Sequence, residues 1–485
     1  MGFFIFGFWK TRLKAPFDIA GDLDTPVSAF MKLAALRPRF LLESVEGGER
    51  LGRYSFIGFG AGLEIRLDRD GLWLGTERRP IPASAAELLA AMRDGLARAP
   101  QPEPVVAGGV AAAARGTTHG IPLAGGLVGY AAYDIVRFFE RLPARTGFET
   151  GVPILHYVAP QSLLVFDHLT RGIALLHAGP ESERRSLRRE VVQALRGALP
   201  SGRAAGRHGP PTPSSTRAEH IAGVERVKEY IAAGDVYQLV LSTRFAGRHE
   251  LDPFQAYRAL RLINPSPYMY YCALGDVTVV GSSPEALVKL KGGRAQLRPI
   301  AGTRPRADDP AVDVAREAEL RADPKENAEH VMLVDLARND LGRVARAGSI
   351  GVEPYRAIER YSHVMHIVSG VNGELAPGRD AFDLFAATFP AGTLVGAPKV
   401  RAMQIIDELE PVGRELYGGT VGYFGAHGDM DQAITIRTLV FRGDEYSYQA
   451  GGGIVADSVP EAEHEEVLAK SAAVVRALEL AEEGL

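Results

Sequence analysis

The chain has 485 residues, 46% of them hydrophobic, a formal net charge of −4 and a single cysteine. That is ample apolar material for a large core, and the length suggests two or three domains. A mildly acidic chain with scattered arginines lacks the basic face of a nucleic-acid binder. One cysteine excludes an intramolecular disulfide and a CxxC metal site.

The first residues, "MGFFIFGFWKTRLK", run from apolar to basic. A secretory signal has the opposite order, and a membrane span needs about 20 apolar residues. Residues 1–10 are read as a frayed start or a stray first strand. No later segment is long and apolar enough to span, so a soluble, cytoplasmic protein is expected, with no nucleic-acid and no membrane partner. Residues 98–120 read as an exposed excursion. Residues 195–217, rich in Gly, Pro, Ser and Arg and without periodicity, read as a linker or exposed loop. It divides an N-terminal region, 15–194, from a C-terminal region, 218–483.

After the linker, "STRAEHIAGVERVKEYIAAGD" predicts a helix. Ile221, Val224, Val227 and Ile231 form its apolar stripe and Gly234 stops it. "GDVYQLVLS" (234–242) then predicts a buried strand with Gln238 in its middle, a neutral amide that needs hydrogen-bond partners. Further strands are predicted at 268–273, 277–281, 286–291, 295–299, 419–425, 432–441 and 446–455. Helices are predicted at 311–321, 325–338, 380–388, 397–409 and 459–482. Strands and helices mix without strict alternation. The fold class is therefore α/β (α+β), with large mixed or antiparallel sheets and helices packed outside. Cys272, in the apolar run "YMYYCALG", is expected in the core.

Two helices carry paired carboxylates. "DSVPEAEHEEVLAK" offers Ser458 as a cap, Pro460 in the first turn, and Glu463, Glu466 and Lys470 on one face. "DPKENAEHVMLVDLARND" offers Glu326 and Glu329. A solvated face with charge pairs explains such spacing, and so does a shared Mg²⁺, a hard cation that takes oxygen ligands. "GFGAG" (58–62) has no helix signature after it, and "GTLVGAPK" (392–399) lacks the Gly-Lys-Ser/Thr of a phosphate loop. "QAGGGIVADS" (449–458) either brings backbone N–H groups close to an anion or ends a strand in a bulge. A glutamine-hydrolysing module needs a nucleophilic Cys with a His partner, and Cys272 is in the wrong context for one.

Ten runs in order closely resemble the component I, or large-subunit, family of anthranilate synthases among the chorismate-utilising enzymes. They are "TPVSAF" (25–30), "LLESVEGGERLGRYSFIG" (41–58), "NPSPYM" (264–269), "SSPEALV" (282–288), "RPIAGTRPR" (298–306), "KENAEHVMLVDLARNDLGRV" (325–344), "SHVMHIVS" (362–369), "GAPKVRAMQIIDELEP" (396–411), "YGGTVGYF" (417–424) and "GDMDQAITIRT" (428–438). The resemblance implies one large unit of two packed antiparallel-rich sheets wrapped by helices, the chorismate-utilising enzyme fold. It implies conversion of chorismate and ammonia to anthranilate and pyruvate, with Mg²⁺ as cofactor.

By the same resemblance Glu329 and Glu466 are metal ligands, supported by Glu326 and Glu463. Gly451, Gly452 and Gly453 hold the ring carboxylate, Tyr417 and Arg437 the enolpyruvyl carboxylate, and Gly302 and Thr303 are further substrate contacts. Glu285 is the general acid for the leaving 4-hydroxyl, with a raised pKa. His366 belongs to the later elimination of pyruvate. Gln238 stands where water-adding relatives carry a Lys base, which ammonia does not need. Aminodeoxychorismate synthases carry a Lys in "PIKGT"; here the run is "PIAGT", with Ala301. That enzyme is the alternative, beside a tryptophan-binding relative with impaired catalysis. Val395 replaces the usual Ser or Thr before "GAPK", and Ala469 replaces the Asn of "LNK". Glu43, Ser44, Pro267, Tyr268 and Met269 match the family's tryptophan site, which implies feedback inhibition. The implied partner is a separate glutamine amidotransferase subunit, component II.

Overall fold

The computed structural model describes residues 16–46, 50–102, 121–143, 151–200, 206–361 and 364–485. The frayed start or stray strand of residues 1–10, most of the excursion at 98–120 and residues 201–205 of the linker lie outside the described residues.

Among the described residues two large sheets form the body, of 12 and 11 strands, and every pairing within them is antiparallel. Apolar side chains of both, among them Phe40, Val279 and Cys272 from the first and Val128, Tyr130 and Val421 from the second, make one core between the sheets. A second core lies under helices Pro253–Ile263 and Pro460–Glu483 on the outer face of the first sheet. A third lies under helices Ala85–Arg98, Pro324–Gly342, Ala381–Thr388 and Lys399–Leu409. The layers are thus helix, sheet, sheet, helix, because each sheet has a second apolar face to cover. Cys272 is 0% exposed, and burial pushes its thiol up to about 12.

The composition break at 195–217 interrupts neither sheet. In the first, Phe40–Glu43 pairs with Tyr268–Leu274; in the second, Gly126–Ala131 pairs with Thr420–Gly425. Residues from both sides of the linker therefore share both sheets.

The strand expected over 432–441 is two strands. Met430–Ile434 belongs to the second sheet and Thr438–Arg442 to the first. The chain changes sheets across 435–437, where Arg437 takes a left-handed backbone with φ 50°. A second strand pair does the same beside it: Val277–Ser283 in the first sheet leads through Pro284 and Glu285 into Ala286–Lys291 in the second. The crossings are bonded to each other. Ile434 N donates to Glu285 O at 2.9 Å and Ser282 N to Arg437 O at 3.2 Å. Period-two patterning cannot register such a switch, since a strand alternates the same way in either sheet.

The C-terminal helix begins at Pro460, but its cap is Val459. Ser458 instead accepts a hydrogen bond from Val455 N through its hydroxyl, at 3.1 Å, closing the turn before the helix. Gln238 is the first residue of its strand, Gln238–Arg248, rather than its middle.

Candidate active site

A cavity with about 690 Å³ of empty space, its open mouth included, lies against the two crossings. Small-molecule pockets span roughly 300–1,000 Å³. Glu285, Thr393, Tyr417, Arg437, Gly451, Gly453 and Lys470 face it. It exists because the strand Glu445–Ile454 outruns one neighbour. Its ladder to Thr438–Arg442 ends at Ser447, while its ladder to Gln238–Arg248 runs on to Ile454. The edge beyond Ser447 borders the cavity.

That long ladder has no register shift, so the glycines do not mark a bulge. They mark close approach. A Cβ on Gly451 would lie 2.8 Å from the Tyr417 hydroxyl, one on Gly452 2.9 Å from Glu463 Oε2, and one on Gly453 2.7 Å from Gln238 Nε2. Three residues singled out from the sequence pack on three consecutive glycines.

Glu285 sits in the wall of the cavity and accepts a hydrogen bond from the Thr393 hydroxyl, 2.9 Å to Oε1. Burial pushes its carboxyl up to about 7, against the opposing pull of the Thr393 bond and the Arg437 and Lys470 charges. A carboxylic acid poised near neutrality beside two cations suits a substrate that is an anion and has a leaving group in need of a proton.

Gly302, Thr303 and His366 lie on a separate three-stranded sheet. His366 Nδ1 is 3.0 Å from Gly302 O, so Nδ1 carries the hydrogen, and 3.1 Å from Thr303 Oγ1. Burial lowers the His366 pKa, and the Arg437 charge lowers it further against the opposing Gly302 bond and Glu359 charge; both favour the neutral ring, whose lone pair is then on Nε2.

The four acidic residues of the two helices approach one another. Burial raises the Glu329 pKa, and Glu326 and Glu466 add to the rise; burial raises Glu463, with Glu466 again contributing. Glu463 Oε2 is buried without a hydrogen-bond partner. Mutually repelling carboxylates with an orphaned oxygen are a donor set that fits a hard divalent cation. Among the described residues no three acidic, His or Cys side chains converge on one point. Glu466 is turned to Lys470, 2.6 Å away, and Glu326 to Arg304, 3.2 Å away. Gln238 joins the group through Nε2, 3.4 Å from Glu329 Oε1.

The residues matched to a tryptophan site also come together. Glu43 and Met269 are cross-strand partners, and Val45 N donates to Ser266 O at 3.1 Å. The Glu43 carboxylate is buried and held by Tyr257 and by Arg261, 3.0 Å from Nε. Ser44 O accepts from Gly52 N, and Pro267 precedes the strand. The Tyr268 hydroxyl reaches Asp431 in the second sheet at 3.0 Å.

Sequence reasoning passed over Thr393, Lys470 as a cavity residue, and the buried pair Glu410–Arg414, whose side chains are 3% and 1% exposed. Arg414 donates to Leu394 O and Val240 O, and its guanidinium lies 5.5 Å from the Tyr417 ring centre. Thr393 lies within "GTLVGAPK", where the phosphate-loop comparison and the departure at Val395 both pass it by. Lys470 was visible only as a charge one turn after Glu466. Val395, the residue before "GAPK", is 0% exposed and packs in the core rather than in the lining of the cavity. Ala469 is exposed on its helix.

The sequence model of the chorismate binding enzyme family matches residues 37–476. Anthranilate synthase component 1 of Thermus thermophilus is 44% identical over 468 residues, covering 96% of this chain and 97% of its own. That of Pseudomonas aeruginosa is 43% identical, covering 98% and 97%. Among solved structures, anthranilate synthase component I from Streptococcus pneumoniae superposes with a TM-score of 0.75 at 31% identity, covering 94% of this chain and 98% of its own. The menaquinone-specific isochorismate synthase of Escherichia coli, at 19% identity and a TM-score of 0.66 over 93% and 91% of the two chains, shares the fold. With a family match across both sheets and relatives this similar along nearly the whole length, the chain belongs to the chorismate-binding enzymes, in the group of anthranilate synthase component 1.

Proposed function

We propose that this enzyme is a carbon–oxygen lyase that converts chorismate and ammonia to anthranilate and pyruvate in tryptophan biosynthesis. The observation that carries the reading is Glu285, an acid poised at about 7 in the same cavity as Arg437 and Lys470.

Chorismate brings two carboxylates. Main-chain N–H groups along Gly451–Gly453 hold the one on the ring, and Tyr417 with the Arg437 fork holds the one on the enolpyruvyl group. When bound, Mg²⁺ supplies positive charge that neutralises the ring carboxylate; Glu329 and Glu466 would hold it, with Glu326 and Glu463 behind them. Glu285 gives its proton to the 4-hydroxyl, which leaves as water while ammonia adds at ring C2 and the double bonds shift. The C2 proton is then removed and the C3–O bond breaks. The ring becomes aromatic, and the released enolpyruvate takes up a proton to give pyruvate. His366 serves this second step, its Nδ1–H fixed on Gly302 O so that Nε2 can handle a proton.

Ammonia comes from a separate glutamine amidotransferase subunit, a partner consistent with the "component 1" of the relatives' names. No helix among the described residues is long and apolar enough to cross a membrane, and we place the enzyme in the cytoplasm. Tryptophan binds at Glu43, Ser44, Pro267, Tyr268 and Met269 and favours a less active state by differential affinity. In support, Tyr268 pairs with Ser283, two residues before Glu285.

The test incubates the protein with chorismate, Mg²⁺ and ammonium and identifies the product by mass. Anthranilate is expected. An aminodeoxychorismate product, or tryptophan binding without any product, would replace the reading.

A further inference from the structure

We infer that Thr393 is the positioning residue of the acid: its hydroxyl occupies one carboxyl oxygen of Glu285 and directs the transferable proton to the other. This rests on the reading of Glu285 as general acid. The Thr393 hydroxyl donates to Glu285 Oε1 at 2.9 Å, across 108 positions of sequence. With Oε1 engaged as an acceptor, the acidic proton resides on Oε2. The hydroxyl therefore selects which oxygen is the acid, as well as where the carboxyl points.

The turn that carries Thr393 is held by neighbours before, within and after it. Residues Gly392–Leu394 form a short 3₁₀ turn. A Cβ on Gly392 would lie 1.9 Å from Leu336 Cδ2, and one on Gly396 2.1 Å from Gln238 O, so the chain lies flush against its neighbours before and after Thr393. Between them, Leu394 O is held by Arg414 Nη1 at 2.6 Å and Val395 O by Val240 N at 3.0 Å. Arg414 is in turn fixed by Glu410, 2.7 Å away, whose Oε1 also takes Ser242 N at 2.9 Å. A buried ion pair thus clamps the turn to the strand Gln238–Arg248. Such a supporting shell sets a reactive group to a fraction of an ångström.

The bond also lies where two spaces meet. Glu285 and Thr393 both line the substrate cavity and a second one of about 410 Å³, its open mouth included. The charged and titratable groups around Glu285 are Arg437, Lys470, Tyr417 and Tyr448 on the cavity side, and Arg298 and Asp340 on the other. None of them is altered by changing Thr393. A hydroxyl that donates to a carboxylate stabilises the charged form, so its removal raises the carboxyl pKa. Glu285 must be protonated to act, so the basic limb of activity moves up.

The experiment compares the parent with Thr393→Val, Thr393→Ser and Glu285→Gln, using chorismate, Mg²⁺ and ammonium over a range of pH. Taking the ratio of variant to parent at each pH cancels the titration of ammonia. Thr393→Val is expected to lower kcat on the order of tenfold at low pH, keep KM for chorismate within about twofold, and shift the basic limb up by about one pH unit. Thr393→Ser restores both. If the valine variant does not fold, Thr393→Ala carries the same expectation without the added bulk. An unchanged basic limb and kcat in a folded Thr393→Val or Thr393→Ala, with Glu285→Gln inactive, overturns the role of Thr393. A Glu285→Gln that keeps the parent's basic limb overturns the reading of the acid instead.

Discussion

The Gln238 side chain donates to Glu329 across 91 positions of sequence, Nε2 to Oε1 at 3.4 Å. The bond ties the head of the strand Gln238–Arg248 to the helix Pro324–Gly342, and the same amide lies against Gly453. A neutral donor does this without competing for the charge that Glu329 is proposed to hold.

A lysine at 238 would compete. Gln238→Lys places an ammonium against Glu329 and intrudes on the position we propose for ammonia. Anthranilate formation is expected to fall on the order of 100-fold, the scale of misplaced reactants. A partly desolvated lysine has a lowered pKa and could draw a proton from water, so a trace of isochorismate is looked for by chromatography. Anthranilate made at the parent's rate would reduce Gln238 to a strand residue.

The carboxylates are tested through the metal. Glu329→Ala and Glu466→Ala are each expected to abolish turnover with the fold kept, since removing one proposed ligand would leave the substrate carboxylate unneutralised. Glu463→Gln, at a residue proposed to support the ligands, is expected to raise the Mg²⁺ needed for half activity about 10- to 100-fold. Calorimetric titration with Mg²⁺ reads the loss directly. Unchanged Mg²⁺ dependence in the two alanine variants sinks the assignment.

Glu285→Gln is expected to cost roughly 100- to 10,000-fold in kcat. Its effect on stability has a definite sign. The folded carboxyl lies at about 7, above the ordinary glutamate value of 4.5. The folded state therefore holds the proton more tightly, and that contribution is present below about 4.5 and lost as pH rises through about 7. Glutamine removes the loss, so the variant's melting temperature should gain on the parent's at pH 8 but not at pH 4. Equal differences at both pH values would show that the group is not perturbed.

Ser44→Ala and Met269→Thr are expected to leave turnover in place and to blunt the proposed inhibition by tryptophan. Ser44→Ala should be nearly silent in stability. Met269 is 1% exposed, so a hydroxyl there costs about 1–3 kcal/mol and the assay belongs well below the melting temperature. Inhibition curves that match the parent's for both variants would move the effector site elsewhere.

Much of the local structure follows from the chain alone. The apolar stripe of Val224 and Val227 predicts a helix, and the structure has one over Arg217–Ala232. The strand at 286–291 is found with those bounds, and the long terminal helix begins at Pro460 as a first-turn proline suggests. These rest on near neighbours, whose side chains repeat every two or about 3.6 residues. The family, too, is legible as ordered runs of residues.

Only the tertiary structure decided what those runs do to one another. The turn from one sheet into the other at 435–437, which aims Arg437, leaves no mark in alternation. The composition break at 195–217 looks like a boundary, yet Phe40–Glu43 and Tyr268–Leu274 pair across it. Glu285 becomes an acid near neutrality through burial, and Thr393, 108 positions away, supplies its hydrogen bond. Burial and contact between distant segments are properties of packing. A local pattern reports which face of an element is apolar, and packing alone determines what that face meets.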